Sequence, residues 1–169
     1  MRNRALVLAS SIFIAGAISA QTATNGTIPD NILYRALFQR VAAQKALADR
    51  VAAQGKNDSA ARTALRDQAG LSATEYAILE STALDYLKAH YAYFAAQGQI
   101  LQAIKSAGVP STSAQKSQLA ALAANHVAME QAHIDQLRTA LGARFQTLDA
   151  WARSAILPNV GLKPMKGVK

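Results

Sequence analysis

The side chains best suited to chemistry in this sequence are three histidines and a glutamate on predicted apolar helix faces. His126, Glu130 and His133 lie within one segment, residues 119–141, whose leucines recur at helical spacing. At about 100° per residue, Glu130 falls about 40° from His126 on one side and His133 about 20° on the other. Leu122 and Leu137 share this sector. The three polar side chains are therefore predicted to face the core rather than water.

The third histidine, His90, occupies a similar position on the preceding predicted helix. Its stripe carries apolar residues at helical spacing, namely Leu79, Ala83, Leu87, Phe94 and Leu101. The two segments are joined by a short turn near Pro110. In a regular antiparallel hairpin, His90 would lie opposite Glu130, with His126 and His133 about one turn above and below. We therefore expect the three histidines and the glutamate to share one buried layer.

This layer has the composition of a metal site. Glu130 and His133 have the Glu-x-x-His spacing that places both side chains on one helix face, and His126 and Glu130 are spaced equally well. The two histidines of this helix lie about 10 Å apart along its axis, which is too far to share one ion. Two ligand sets remain, each completed by water around zinc or copper: His90, Glu130 and His133, or His90, His126 and Glu130.

The Glu-x-x-His tetrad resembles the one in ferritin-like di-iron carboxylate bundles. Those bundles use a second such tetrad and two further glutamates. Here the first predicted helix has no carboxylate in its middle, and the next long helix offers only Glu80, on the flank of its stripe. A di-iron oxidase is therefore not predicted.

Two interpretations of the layer involve no metal. A buried carboxylate must be paired or protonated, because an isolated buried charge is costly. Glu130 and the histidines, joined by Tyr86 or Tyr93, would form a structural hydrogen-bond network, which we prefer because buried polar groups generally find partners. In the remaining interpretation, protonation of the histidines loosens the bundle at acidic pH.

The elements that must position this layer are all predicted to be helical. Two capping boxes, at Ser72–Glu75 and Thr112–Gln115, mark helix starts, and proline or glycine marks other ends. The signals predict helices over residues 29–54, about 58–69, 72–107, 112–141 and around 145–152. The first helix has its apolar face at Leu33, Tyr34, Leu37, Val41, Ala48 and Val51, with Arg35 largely elsewhere.

These helices predict an all-α fold, an antiparallel up-and-down helical bundle with three long helices plus short connecting and C-terminal helices. Residues 29–157 would form this single domain. The segment 72–107 is the longest, at about 1.5 Å per residue, and part of it is expected to project beyond the others.

The first residues have the features of a signal peptide. Residues 1–20 have a basic start, a short apolar run and small residues, with cleavage after Ala20 favoured over Ala17. We expect an exported protein, periplasmic or secreted, with no transmembrane segment after cleavage. Residues 21–28 are predicted to be a flexible mature N-terminus, and residues 158–169 a basic C-terminal tail.

The cysteine content limits the chemistry open to the protein, and its net charge indicates which partners it would bind. The chain has no cysteine, which excludes disulfides, thiolate ligands and a cysteine nucleophile. Its net charge is +8 and would be +6 without Arg2 and Arg4. A basic exported protein favours another protein or an anionic envelope surface as its partner, and nucleic acid is not expected.

Catalytic motifs are not found. The sequence contains no phosphate-binding glycine loop, nucleophile elbow or His-Glu-x-x-His motif, and we expect a protein that is not an enzyme.

One short stretch resembles a known family. Leu71-Ser72-Ala73-Thr74-Glu75 resembles the Leu-Thr-x-x-Gln motif of periplasmic helical stress chaperones of the CpxP and Spy type, with serine for threonine and glutamate for glutamine. The likeness covers five residues, and any capping box after a leucine would give the same pattern, so no membership follows. It implies an exported helical protein that binds other chains.

The sequence thus predicts an exported soluble helical bundle with a non-enzymatic binding, chaperone-like or envelope-structural role. The alternative is a metal-binding bundle that holds zinc or copper through the His/Glu layer.

Overall fold

The computed structural model describes residues 28–156, which form an all-α bundle of five helices with no strand in that range. They are α1 (Asp30–Ala53), α2 (Ser59–Gln68), α3 (Ala73–Ala107), α4 (Ser113–Leu141) and α5 (Arg144–Ala155). The predicted fold class is confirmed. The predicted signal peptide, residues 21–27 and the basic tail lie outside the described residues. Across residues 28–156, no helix combines the length and apolar character needed to cross a membrane.

Local signals set the ends of the hairpin that carries the histidines. In both capping boxes the first side chain accepts from the backbone N–H three residues on, while the Glu75 or Gln115 side chain accepts from the cap residue's own N–H. Gly108 ends α3 with a φ of 64°, a left-handed conformation that glycine adopts without steric cost. These caps fix where the two helices turn back on each other.

The core lies where α1 packs against α3 and α4. Its fully buried side chains include Leu33, Leu37 and Leu79. The apolar face predicted for α1 omits Phe38, which is fully buried with its ring 5.0 Å from that of Tyr86. Tyr86 is itself only 1 % exposed. The aromatic pair fills the centre of the three-helix contact.

The outer half of the α3–α4 hairpin extends past this core. The last buried residue of α3 is His90, and the first buried residue of α4 is Glu130. Between them, no residue of 91–129 is buried. We call residues 91–129 the arm. Phe94, predicted to lie on the buried stripe, is 49 % exposed, because α1 begins at the level of Glu130 and so does not flank the arm.

Candidate functional site

Glu130 is the centre of the polar layer and is paired with a cation from α1. Its side chain is 2 % exposed on the inner face of α4. The Arg35 guanidinium donates to Glu130 Oε1 through Nη2 at 2.6 Å and through Nε at 3.0 Å. Arg35 thus neutralises the charge of Glu130, which would be costly to bury alone.

Two further donors complete the surroundings of this carboxylate. The Tyr86 hydroxyl, from α3, donates to Oε1 at 2.9 Å, and Asn31 Nδ2, from the first turn of α1, donates to Oε2 at 3.5 Å. Three donors thus converge on Oε1 and one long contact reaches Oε2. Glu130 joins α1, α3 and α4 at one point, which makes it a cross-link of the bundle as well as a candidate ligand.

The two other members of the layer form a histidine pair, His90 on α3 and His126 on α4. His90 Nδ1 lies 2.9 Å from His126 Nε2. His126 Nε2 lies 3.8 Å from Glu130 Oε1, and the ligand atoms of all three residues fall within 4.8 Å of one another. This is a compact group of two nitrogen donors and one oxygen donor, a composition that suits zinc and related cations.

The hydrogen bonds define the proton arrangement of this group. The ionised carboxylate of Glu130 can only accept, so the single Tyr86 proton is directed to Oε1. His90 Nδ1 also lies 3.2 Å from the Tyr86 oxygen. Two acceptors at that distance would repel each other, so we assign the proton of neutral His90 to Nδ1. His90 then donates to the lone pair of His126 Nε2.

Aromatic rings enclose the histidine pair. Tyr93 stacks on His126 with centroids 4.0 Å apart, and Phe94 meets the His90 ring edge-on at 4.8 Å. His90 is 5 % exposed and the His126 side chain is 9 % exposed. The pair is therefore shielded from water on most sides, with His126 the more accessible member.

Burial shifts the pKa values of His90, His126 and Tyr86. It lowers the pKa of His90, and the neighbouring His126 and Arg35 lower it further by charge repulsion. Burial also lowers the pKa of His126, against the opposing attraction of Glu130. Burial and the Glu130 charge together raise the pKa of Tyr86, which stays protonated. At neutral pH the histidine pair is uncharged, the state in which imidazole nitrogen binds metals.

The structure brings together one of the two predicted ligand sets. His90 faces His126, and Tyr86 faces Glu130, so the hairpin register differs by about one helical turn from the expected one. His133 lies outside the group. Its Nδ1 is 2.8 Å from the Met129 carbonyl oxygen, and its ring meets Tyr86 edge-on at 5.8 Å. The set that includes His133 is not assembled.

Sequence reasoning missed the contribution of α1. Arg35 was expected largely off the apolar face, yet its half-buried side chain supplies the cation for Glu130. Asn31 and Arg35 are separated by one turn, and Phe38 follows three residues later, so the three line one edge of α1. This mixed stripe beside the leucines was the available signal. The predicted participation of Tyr86 is confirmed, and Tyr93 joins by stacking rather than by a hydrogen bond to the cluster.

A surface groove leads to His126, one member of the histidine pair. It has a volume of about 280 Å³ and is open to solvent between α3 and α4 at the base of the arm. Its wall includes His126 and Tyr93, with the remaining lining residues mainly apolar: Ala89, Ala92, Leu122, Asn125 and Met129. The groove therefore gives solvent access to the His126 side of the cluster.

Comparison with known proteins does not identify this chain, since no family model matches it and no match was found among curated proteins or solved structures.

Proposed function

We propose that this protein is a non-enzymatic binding protein that uses the arm to contact apolar segments of partly folded proteins. The observation that carries the proposal is the absence of any buried residue in 91–129. An isolated helical pair has little core of its own, so its apolar side chains are available to a partner. The bundle below the arm, cross-linked at Glu130, provides the rigid support.

The exposed side chains of the arm have the character of a binding surface. Tyr91 is 66 % exposed, Val127 56 % and Val109 60 %. Aromatic side chains give large contact areas at low entropic cost and are enriched where proteins bind one another. Several such residues on one hairpin favour contacts with extended apolar chain rather than with a single small ligand.

The charge of the arm indicates the charge of the partner. Residues 91–129 contain no aspartate or glutamate, and their only formal charges are Lys105 and Lys116. An acidic, partly apolar chain would be attracted, and a basic one would find no counter-charge. We propose partly folded proteins with acidic segments as the class of partner.

The location follows from the N-terminal sequence. We propose that binding takes place outside the cytoplasm, on the strength of the signal-peptide features of residues 1–20. The same features, together with the basic composition, support the choice of an envelope or secreted client rather than nucleic acid.

The test is suppression of aggregation. Light scattering by an acidic client protein diluted from denaturant is followed with increasing amounts of this protein, and suppression is expected near equimolar ratio. Tyr91→Ser and Val127→Ser, both in the arm, should weaken suppression severalfold. Leu47→Ser, on α1 and 45 % exposed, removes a comparable apolar side chain from the body and should leave it unchanged.

Two results would contradict the proposal. One is a client that aggregates unhindered at equimolar protein. The other is an equal loss in the Leu47 and arm variants, which would show that general surface hydrophobicity rather than the arm is responsible.

A further inference from the structure

We infer that His90, His126 and Glu130 form a zinc-binding site whose affinity is held down by Arg35. The inference is independent of the proposed binding function, since it concerns the buried layer and not the exposed face of the arm. It rests on two observations. Three ligand atoms converge, and the Arg35 guanidinium already binds one of them, Glu130 Oε1.

Two of the three distances between the ligand atoms are close to those of a zinc site, and all three atoms lie within 4.8 Å of one another. With zinc–ligand bonds of about 2.0–2.1 Å in a tetrahedron, neighbouring ligand atoms are about 3.3–3.4 Å apart. The distance from His90 Nδ1 to His126 Nε2 is 2.9 Å, and that from His126 Nε2 to Glu130 Oε1 is 3.8 Å. Each differs from the tetrahedral value by about half an ångström, which side-chain rotation can supply.

The zinc ion would replace the hydrogen-bonded proton between the two rings. His90 must then carry its proton on Nε2 instead of Nδ1, so both facing nitrogens offer lone pairs. This tautomer change releases no proton, because each imidazole stays neutral. The fourth position is completed by water from the groove beside His126. We choose zinc over copper because copper(II) prefers a tetragonal plane of ligands and zinc does not.

Arg35 opposes the metal in two ways. It donates twice to Glu130 Oε1, the oxygen that faces His126, and Tyr86 donates to the same atom. It also balances the Glu130 charge, so that a divalent cation would leave the layer positive. The Arg35 side chain is 37 % exposed and can withdraw towards solvent, while Oε2 has only the 3.5 Å contact with Asn31. Binding is therefore possible at the expense of the ion pair.

Zinc alone, titrated into chelator-treated full-length protein, tests this inference by calorimetry or chelator competition. The wild type should bind one equivalent at micromolar zinc. His90→Ala and His126→Ala should each weaken binding by more than the roughly 100-fold that loss of an outer-shell partner costs. His133→Ala is the matched control, because it removes a histidine of the same helix that lies outside the group. Its loss of affinity should stay below the roughly tenfold at which loss of an outer-shell partner begins to be felt.

The distinctive expectation is a gain of affinity. Arg35→Met removes a like charge and frees Oε1, so zinc should bind at least about tenfold more tightly than in the wild type. In the imidazole nitrogen spectrum of the wild type, zinc should move the His90 proton from Nδ1 to Nε2. A purely structural network would show neither effect.

Three results would overturn the inference: no saturable binding at micromolar zinc, binding unaffected by the His90 and His126 substitutions, or an affinity unchanged or lowered by Arg35→Met in a variant whose circular dichroism is native. His126 is 9 % exposed and packs at the edge of the core, so its alanine variant should fold even if that of His90 does not.

Discussion

The Arg35–Glu130 ion pair should contribute measurably to stability, and its removal is the sharpest test of how the polar layer holds the bundle together. Arg35→Met keeps the aliphatic stem of the side chain and removes the guanidinium. Glu130, 2 % exposed, then retains only the Tyr86 and Asn31 donors. Breaking a buried ion pair costs about 3–5 kcal/mol. Since Arg35 is 37 % exposed, solvent screening reduces this cost, and we expect about 2 kcal/mol.

The measurement is urea unfolding at neutral pH followed by circular dichroism. The midpoint should fall while the slope stays constant, as expected for a change of stability without a change of compactness. The double variant Arg35→Met with Glu130→Gln should lose less than the sum of the single losses, because each removes the same interaction. A loss below about 0.5 kcal/mol, the size of an ordinary surface change, or strict additivity in the cycle would refute the reasoning.

Three further predictions follow from other parts of the structure. In metal-free protein, burial lowers the pKa of His90 and His126 below the ordinary 6.5, so below that pH the unfolded chain takes up protons that the folded protein does not. The melting temperature should therefore be constant above pH 6.5 and fall progressively below it. A flat profile between pH 7.5 and 5 would contradict this. Tyr34→Phe should lower the free energy of unfolding in urea by about 1–2 kcal/mol, because the buried hydroxyl donates to Asp149 of α5 at 2.9 Å. An unchanged free energy would show that this hydrogen bond makes no net contribution to stability. Gly108→Ala should destabilise the protein by about 1 kcal/mol or more, because the φ of Gly108 is 64° and alanine is strained there. Gly98→Ala, inside α3 with open space around it, should instead stabilise the protein by up to about 1 kcal/mol. Effects of the same sign would refute the comparison.

The polar layer also explains how the body of the protein supports the arm. Glu130 accepts from α1 and α3 at the level where α1 begins, and the histidine pair joins α3 to α4 about one helical turn further towards the arm. The layer therefore lies at the junction between the fully packed bundle and the two-helix arm. A change in the protonation or metal state of the histidine pair would act at the point where the arm is anchored.

The boundaries of the helices were decided by the sequence alone. Capping boxes, glycines after last turns and the 3.6-residue period of apolar residues act over a few residues, so they can be read without knowing the neighbours. The same arithmetic placed His90, His126 and Glu130 on inward faces. The structure confirms that all three lie together, and it confirms the all-α bundle.

Relations between helices were decided only by the tertiary structure. The register of the α3–α4 hairpin depends on how the turn at Gly108 closes, and a shift of about one turn is enough to pair His90 with His126 and leave His133 outside. Arg35 joined Glu130 because α1 packs with that edge towards α4. Sequence periodicity specifies the direction of a side chain around its own helix, whereas its partner depends on the height and rotation of the neighbouring helix, which are set by packing of the whole core.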